Sequence, residues 1–345
     1  MVDSAVETSS IGPKWPPQET SFNRVKGFYD DRIIVEEGQF DNLLAEVAYI
    51  ARFIGSTEVT RLSIRAIVDN SLLHYGNPAL EAFGEAVISL DGTNPDFRET
   101  SILYLGYNSA DRQPDKKDLV STFDNYRKAK ERRSKDTYSM LLRAETQGYE
   151  IRMLATPVVD EKIVAQVAEL YGRFGWDLVQ VEEILSNPLN CITLAFCEDQ
   201  IVSAGISEFS LIQIKNGREG SEVQLKMVEL TEAATLSEHG GKGLYSAISS
   251  KSLLELQSGS VHFAPSGIDL AYGECNGSNL GVLLAAKTQG RIFSTEISES
   301  KSLPFRGLLP QHVPISGSQR STEYNDLIPA FISRHGLLKF VECHE

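Results

Sequence analysis

The sequence predicts an α/β protein with two domains, and three features of the chain support this. Apolar residues make up 41% of the 345 residues and charged residues 23%, which is typical of a folded globular protein. Runs with the two-residue repeat of strands alternate with runs that have the spacing of helices. This pattern restarts at Gly148. We therefore expect a disordered tail over residues 1–23, a smaller N-terminal α/β domain over 24–147 and a second domain over 148–345.

The N-terminal domain is predicted from short apolar runs. Strands are expected over residues 32–35, 62–68, 84–90 and 103–107, and a helix over 40–54. A long polar helix around residues 119–143 resembles a connector to the second domain. It contains the basic run RKAKERRSK at 127–135, in which no aromatic residue is interleaved with the charges. We interpret this run as an exposed helix face and expect no nucleic-acid partner, with a nucleic-acid or phosphate patch as the alternative.

The second domain is predicted as a further alternation of strands and helices. Strands are expected over 149–154, 191–197, 201–209, 223–236 and 268–272, with a turn at 216–221. Helices are expected over 160–172, 182–186, 244–256 and 278–289. Residues 237–243 form a glycine-containing loop between the long strand and the helix that follows it.

Charge and cysteine content narrow the class of function. The net charge is −14, from 33 basic and 47 acidic residues, which favours cationic partners over phosphate backbones. The four cysteines and six histidines show no metal-ligand or disulfide spacing, so neither a metal nor a disulfide framework is expected. The chain shows no apolar run long enough to cross a membrane and no secretory signal, so a cytoplasmic protein without a membrane partner is expected.

The loop at 237–243 has the features of an anion site. Backbone N–H groups at a helix N-terminus attract anions, and glycines allow the ligand a close approach. Gly240, Gly241 and Gly243 would give that access, with Lys242 nearby. Neither a Walker A motif nor a dinucleotide fingerprint fits this loop. An ordinary connection within an α/β domain is the alternative.

The loop resembles the acyl-CoA loop of the GNAT superfamily of N-acetyltransferases. The hallmark Gln/Arg-x-x-Gly-x-Gly/Ala falls on Gly240–Tyr245, where Gly243 matches and Gly240 and Tyr245 depart from the pattern. An asparagine after the next strand, Asn279, and a glycine eleven residues later, Gly290, also match the superfamily. A tyrosine that many members carry is Ala286 here. The run VELTEAATLSEHGGKGL looks most like β-lysine N-acetyltransferases.

The resemblance implies a mixed sheet flanked by helices that uses acetyl-CoA as co-substrate, without a metal. The residues that it implies for binding acetyl-CoA are Thr235, Leu236, Gly240, Gly241, Lys242, Gly243, Leu244, Tyr245 and Asn279.

Two glutamates and a tyrosine are candidates for the chemistry. An alkylammonium is mostly protonated at neutral pH, so acyl transfer to it benefits from a base. We expect Glu229 to be that base, with Glu232 binding substrate or acting as a reserve base. Residues three apart on a regular strand face opposite sides, unless a bulge re-aims one of them. Tyr245 is a candidate acid for the departing thiolate, as is Tyr272. The simpler alternatives are surface ion pairs for the glutamates and packed tyrosines.

The expected reaction is transfer of an acetyl group from acetyl-CoA to a primary amine of a small amino acid or diamine. One alternative is an acyl-CoA-binding module that has lost transfer activity. Another is an acyltransferase that uses a longer or carrier-protein-bound acyl donor. The N-terminal domain is expected to shape the acceptor pocket or to form the contact of a homodimer.

Overall fold

The computed structural model describes residues 22–23, 28–29, 32–35, 61–73, 78–108, 116–132, 138–215, 222–301, 306–314 and 324–343. The predicted helix at 40–54 and the predicted turn at 216–221 lie outside these residues. The last two residues of the expected tail form β1 (Phe22–Asn23), which pairs with β2 (Phe28–Tyr29).

The N-terminal part contains a four-stranded sheet. Its strands are β3 (Arg32–Val35), β4 (Arg61–Asp69), β5 (Gly84–Ser89) and β6 (Thr100–Asn108), in the order β3-β4-β6-β5. The first pair is parallel, and the other two pairs are antiparallel. Helix α1 (Pro78–Phe83) precedes β5. The four strands predicted from the apolar runs are therefore confirmed, each within a few residues.

The larger sheet has eight strands. It contains β7 (Tyr149–Ala155), β8 (Asn190–Cys197), β9 (Gln200–Lys215), β10 (Glu222–Thr235), β11 (Leu270–Asn276), β12 (Ile292–Phe293), β13 (Leu309–Pro314) and β14 (Tyr324–Ser333). The order is β12-β14-β11-β10-β9-β8-β7, with β13 also paired to β14. Strands β10 and β11 are parallel, and the other pairs are antiparallel. The predicted mixed sheet is confirmed, although β11 begins two residues later than expected.

One long helix was expected around residues 119–143, and that expectation is wrong. The described residues hold two helices there, α2 (Lys116–Glu131) and α3 (Tyr138–Thr146). They are part of the folded layers, because α2 packs on the helix at 280–288 and α3 packs on the helix at 244–258. Residues 116–131 and 138–146 therefore form two packed helices, where a single connecting helix was predicted.

The other helices of the second part follow the predicted order. These are α4 (Glu161–Gly172), α5 (Leu178–Ser186), α6 (Leu244–Ser258) and α7 (Leu280–Thr288). Asp160 caps α4 and Asn279 caps α7, each accepting two backbone N–H bonds. Helices α8 (Ser294–Lys301) and α9 (Arg334–Glu342), like strands β12 to β14, were not predicted.

The two faces of the larger sheet are covered differently. On one face, Met227, Leu270 and Tyr272 share a core with residues of the N-terminal sheet such as Ile67 and Leu103. On the other face, side chains of β10 and β11 pack against α6 and α9. The predicted sheet flanked by helices is thus confirmed on this second face. Among the described residues, no helix combines the length and the apolar character needed to cross a membrane.

Candidate functional site

The glycine loop adopts conformations that only glycine takes easily. After β10, Ser237–His239 form a single turn, and the N–H of Gly240 donates to the Ser237 carbonyl at 3.0 Å. Gly241 has φ +72° and Gly243 has φ +85°. Gly243 is the N-cap of α6, and no side chain caps this helix. The first N–H groups of α6 are therefore not held by a capping side chain, as an anion site requires.

A cavity of about 230 Å³ lies beside this loop, and we call it the loop cavity. Its walls come from the loop, the first turn of α6, helix α3, helix α7 and the end of α2. The lining residues are Arg132, Met140, Arg143, Gly241, Gly243, Ser246, Gly281, Leu284, Ala285, Lys287 and Thr288. Three of them are cationic. The loop cavity thus concentrates positive charge in a protein whose net charge is −14.

The three cations reach the loop cavity from separate parts of the chain. Arg132 directly follows α2 and belongs to the basic run that the sequence assigned to an exposed surface. Arg143 lies in α3, and Lys287 lies in the last turn of α7. The ammonium of Lys287 donates to the carbonyl of Lys130. Sequence reasoning missed all three, and the only signal was the density of basic residues around Arg132.

The residues predicted to bind acetyl-CoA fall into two groups. Gly241 and Gly243 line the loop cavity, and Asn279 lies close to it, because its side chain accepts the N–H of the lining residue Gly281 at 3.0 Å. The other predicted binding residues do not line the loop cavity. The buried Leu236 and Leu244 belong to a hydrophobic core.

The remaining predicted binding residues have neighbours elsewhere. The hydroxyl of Thr235 bonds Ser203 at 2.7 Å. The ammonium of Lys242 lies 5.6 Å from the centre of the Tyr149 ring. Gly240 approaches the Ser237 carbonyl so closely that an added Cβ would lie 3.0 Å from its oxygen.

The pairing between strands β10 and β11 ends partway along both strands. Their parallel register covers only three pairs and ends at Glu229 and Tyr272, although both strands continue. We call the region beyond this pair the strand opening. Strand β10 also has a bulge against β9 between Thr231 and Ala234, and Glu232 within it has φ +47°. Because of this bulge, the rule that residues three apart on a regular strand face opposite sides does not hold for Glu229 and Glu232.

The bulge is held by a buried tyrosine. The hydroxyl of Tyr171 on α4 donates to the Glu232 carbonyl at 2.5 Å. Burial raises the pKa of Tyr171 well above its usual value, and the nearby charge of Glu232 raises it further. The phenol therefore stays protonated and can keep donating to the bulge.

Glu229, the predicted base, lies in a buried polar cluster between the two sheets. We call Arg65, Tyr104, Glu229, Tyr272 and Glu274 the inter-sheet cluster. Oε2 of Glu229 accepts from the Tyr272 hydroxyl at 2.8 Å and lies 3.4 Å from Nη1 of Arg65. Nη2 of Arg65 donates to Glu274 at 2.8 Å. Side-chain exposures of 8%, 6% and 7% for Arg65, Glu229 and Glu274 show that these charges are desolvated.

Arg65 on β4 organises this cluster. Its guanidinium lies 5.2 Å from the ring centres of both Tyr104 and Tyr272, and Nη1 donates to the Tyr272 hydroxyl at 2.6 Å. Burial by itself lowers the pKa of Arg65. Four neighbouring side chains outweigh that effect and hold the pKa of Arg65 well above its usual value. They are Tyr104, Tyr272, Glu229 and Glu274. The N-terminal sheet therefore supplies a permanent cation to the predicted base.

Tyr245, the predicted acid, lies on the opposite face of the sheet from Glu229. It is half-buried and lines a small cavity with Leu230, Thr231 and Ala233 of β10. Burial raises the pKa of Tyr245, and Cys275 adds to the rise, while Arg291 and Ser249 act in the opposite direction. The second candidate acid, Tyr272, belongs to the inter-sheet cluster. The two candidate acids thus lie on different faces of the sheet.

Among the described residues, no group of three or more His, Cys, Asp or Glu side chains is placed to hold a metal ion.

No protein-family model matches the sequence. No curated protein matches it.

Solved structures of N-acetyltransferases are similar in shape to about half of the chain. A ribosomal-protein alanine N-acetyltransferase from Escherichia coli is 12% identical, with a TM-score of 0.37, and the match covers 54% of this chain and 93% of that one. Arabidopsis thaliana NAA60 in complex with acetyl-CoA is 7% identical, with a TM-score of 0.39 and coverages of 54% and 98%. An N-acetyltransferase from Staphylococcus aureus is 10% identical, with a TM-score of 0.35 and coverages of 55% and 98%.

Proposed function

We propose that this protein is an N-acyltransferase that uses a coenzyme A thioester as donor, with acetyl-CoA as the reference donor. The acceptor is a primary amine of a small amino acid or diamine. The observation that carries the proposal is the loop cavity, where the glycine loop and three cations surround one space. The GNAT resemblance of the loop and of the Asn279–Gly290 spacing supports the same activity.

The chemistry of coenzyme A fits the loop cavity. Its nucleotide end carries a pyrophosphate and a further phosphate, so it needs several cations and free N–H donors. Arg132, Arg143 and Lys287 supply the cations, and the uncapped first turn of α6 supplies the N–H groups. Lys242, which was predicted to contribute, lies instead over the Tyr149 ring.

The two faces of the strand opening suit the two substrates. The loop cavity and Tyr245 lie on the face covered by helices, where the thioester would enter. Glu229 and Glu274 lie on the face toward the N-terminal sheet, where carboxylates favour a cationic amine. This arrangement supports the expectation that the N-terminal domain shapes the acceptor pocket.

The proposed reaction balances across these faces. The amine gives up a proton toward Glu229, directly or through Tyr272, and its nitrogen attacks the thioester carbonyl. A C–N bond forms, the C–S bond breaks, and the departing thiolate takes a proton from Tyr245. The nitrogen, which enters as an ammonium, loses its second proton to water, and Tyr245 is reprotonated from water. The products are an amide and a free thiol. Backbone N–H groups of β10 beyond Glu229 are candidates to stabilise the oxyanion.

One observation favours a second candidate function, an acyl-CoA-binding module without transfer activity. Glu229 is bound to both Tyr272 and Arg65, and a carboxylate held by a guanidinium is a weaker base. Substituting Glu229→Gln separates the two candidates. In an enzyme that uses this base, kcat falls by about 100-fold or more while binding of acetyl-CoA persists. A binding module shows no thiol release before or after the substitution.

Thermal unfolding with and without coenzyme A or acetyl-CoA tests the proposal. A ligand at about a hundred times its Kd stabilises the folded state by about 2.7 kcal/mol, which is visible as a rise in Tm. Arg143→Gln should reduce that rise, because Arg143 lines the loop cavity. The matched control is Arg127→Gln, an exposed arginine of α2 outside the cavity, which should leave the rise unchanged. No rise with either ligand would overturn the proposal.

A further inference from the structure

A buried arginine just after α7 forms no ion pair with another described residue. Arg291 is 4% exposed, and its Nε, Nη1 and Nη2 atoms are all buried without a hydrogen-bond partner. Its backbone is fixed, since Gly290 before it has φ +74° and its own N–H donates to Ala286 at 3.1 Å. A desolvated, unpaired guanidinium is unfavourable, so a group is expected to complete it when the site is occupied.

The guanidinium of Arg291 lies at the strand opening. A Cβ added to Gly273 of β11 would lie 3.1 Å from Nη1 of Arg291 and 2.7 Å from the carbonyl oxygen of Leu230 on β10. Gly273 directly follows Tyr272, the last residue of β11 that is in register with β10. The absence of a side chain at Gly273 therefore gives the guanidinium its place at the base of the strand opening.

Arg291 lies on the donor's face of the sheet. Burial raises the pKa of Tyr245 on α6 and that of Cys275 on β11, and the charge of Arg291 acts against both rises, so both side chains lie near Arg291. Tyr245 stands in the chain between Gly243 and Ser246, which both line the loop cavity. Tyr245 thus connects the surroundings of Arg291 to the first turn of α6, which lines the loop cavity.

The position of Arg291 indicates which part of a ligand it binds. The phosphates of coenzyme A match the exposed Arg132 and Arg143 at the rim, whereas Arg291 is buried. The carboxylates Glu229 and Glu274 project to the other face, where they bind Arg65. Free coenzyme A ends in an uncharged thiol, so an anionic group at this depth must belong to the acyl chain.

We propose that Arg291 binds a carboxylate at the free end of the donor's acyl group, so that the preferred donor is the coenzyme A thioester of a dicarboxylic acid. This inference rests on the proposed function and names the acyl class within it. The carboxylate itself does not react. The amine nitrogen bonds to the thioester carbon, the C–S bond breaks, and the amide product keeps the free carboxylate. The acylated ammonium is thereby replaced by an amide that carries a carboxylate.

The test compares the affinities of free coenzyme A, acetyl-CoA and succinyl-CoA by titration calorimetry. The wild-type protein should bind succinyl-CoA about 10- to 100-fold more tightly than acetyl-CoA, the range expected for a hydrogen bond between buried charges. In Arg291→Met the ratio of the two affinities should fall to about one. Arg291→Lys, which keeps the charge, should keep part of the preference, and Arg127→Met on the exposed face of α2 should keep all of it.

The outcomes that would overturn the inference differ from those that would overturn the proposed function. If the wild-type protein binds coenzyme A but shows no preference for succinyl-CoA, the carboxylate assignment is wrong and the proposed function stands. If Arg291→Met weakens free coenzyme A as much as succinyl-CoA, Arg291 binds the coenzyme. If no coenzyme A ligand binds, both fail. The wild-type comparison decides the matter even if a variant does not fold.

Discussion

Arg65→Met removes a buried cation that pairs with both Glu229 and Glu274, and it should destabilise the protein strongly. The substitution keeps an unbranched side chain of similar length but leaves two buried carboxylates without their guanidinium. Breaking a buried ion pair from one side costs about 3–5 kcal/mol. That is a large part of the 5–15 kcal/mol, in order of magnitude, by which a folded domain is stable.

The assay is urea unfolding at neutral pH, followed by both circular dichroism and tryptophan fluorescence. The matched control is Arg127→Met, because Arg127 is 67% exposed and pairs with Asp124 on the same helix. Loss of such a surface pair should change the free energy of unfolding by less than about 1 kcal/mol. The contrast between the two variants isolates the effect of burial.

A triple variant tests the reason for the effect as well as its size. Combining Arg65→Met with Glu229→Gln and Glu274→Gln removes every charge of the inter-sheet cluster, so it should recover much of the lost stability. The reasoning is refuted if Arg65→Met costs less than about 1 kcal/mol, the level of a surface pair. It is also refuted if the triple variant is no more stable than Arg65→Met alone.

Two further predictions concern the loop and the bulge. Gly243→Ala should cost roughly 1–2 kcal/mol because Gly243 has φ +85°, and it should also weaken coenzyme A binding. The control is Gly148→Ala, because Gly148 has φ +84° and does not line the loop cavity. It should lower the free energy of unfolding by a similar amount without weakening coenzyme A binding. Equal binding of coenzyme A by both variants would contradict the prediction. Because burial raises the pKa of Tyr171, its contribution to stability is complete below about pH 10 and is lost at higher pH. Urea midpoints should therefore fall more steeply above that pH in the wild type than in Tyr171→Phe, and parallel curves would count against it.

Much of the fold could be predicted from local patterns. Short apolar runs identified the strands of the N-terminal sheet and β7 to β10, because a strand that is buried on one or both faces is rich in apolar residues. The helix at 119–143 was predicted wrongly, since its polar residues continue across the break between α2 and α3. Strand β14 was missed, although it lies between β11 and β12 in the sheet.

The candidate site could be predicted only where its parts are adjacent in the chain. Gly241 and Gly243 lie in the loop that joins β10 to α6, so strand, loop and helix could be read together as an anion site. The three cations of the loop cavity come from α3, α7 and the residue that follows α2, and no local spacing connects them. Arg291 had a weak signal, a charged residue directly after the glycine at the end of an apolar helix.

By itself the sequence determined the α/β class and the order of the elements around the glycine loop, and it predicted that loop as an anion site. These properties depend on contacts between near neighbours in the chain. Only the tertiary structure decided which charges meet. Arg65 lies 164 residues from Glu229 in the chain, yet the packing of the two sheets brings their side chains within 3.4 Å. The pairing of β10 with β11 likewise placed Arg291 at the strand opening, because contacts across a sheet depend on register and packing that no local pattern encodes.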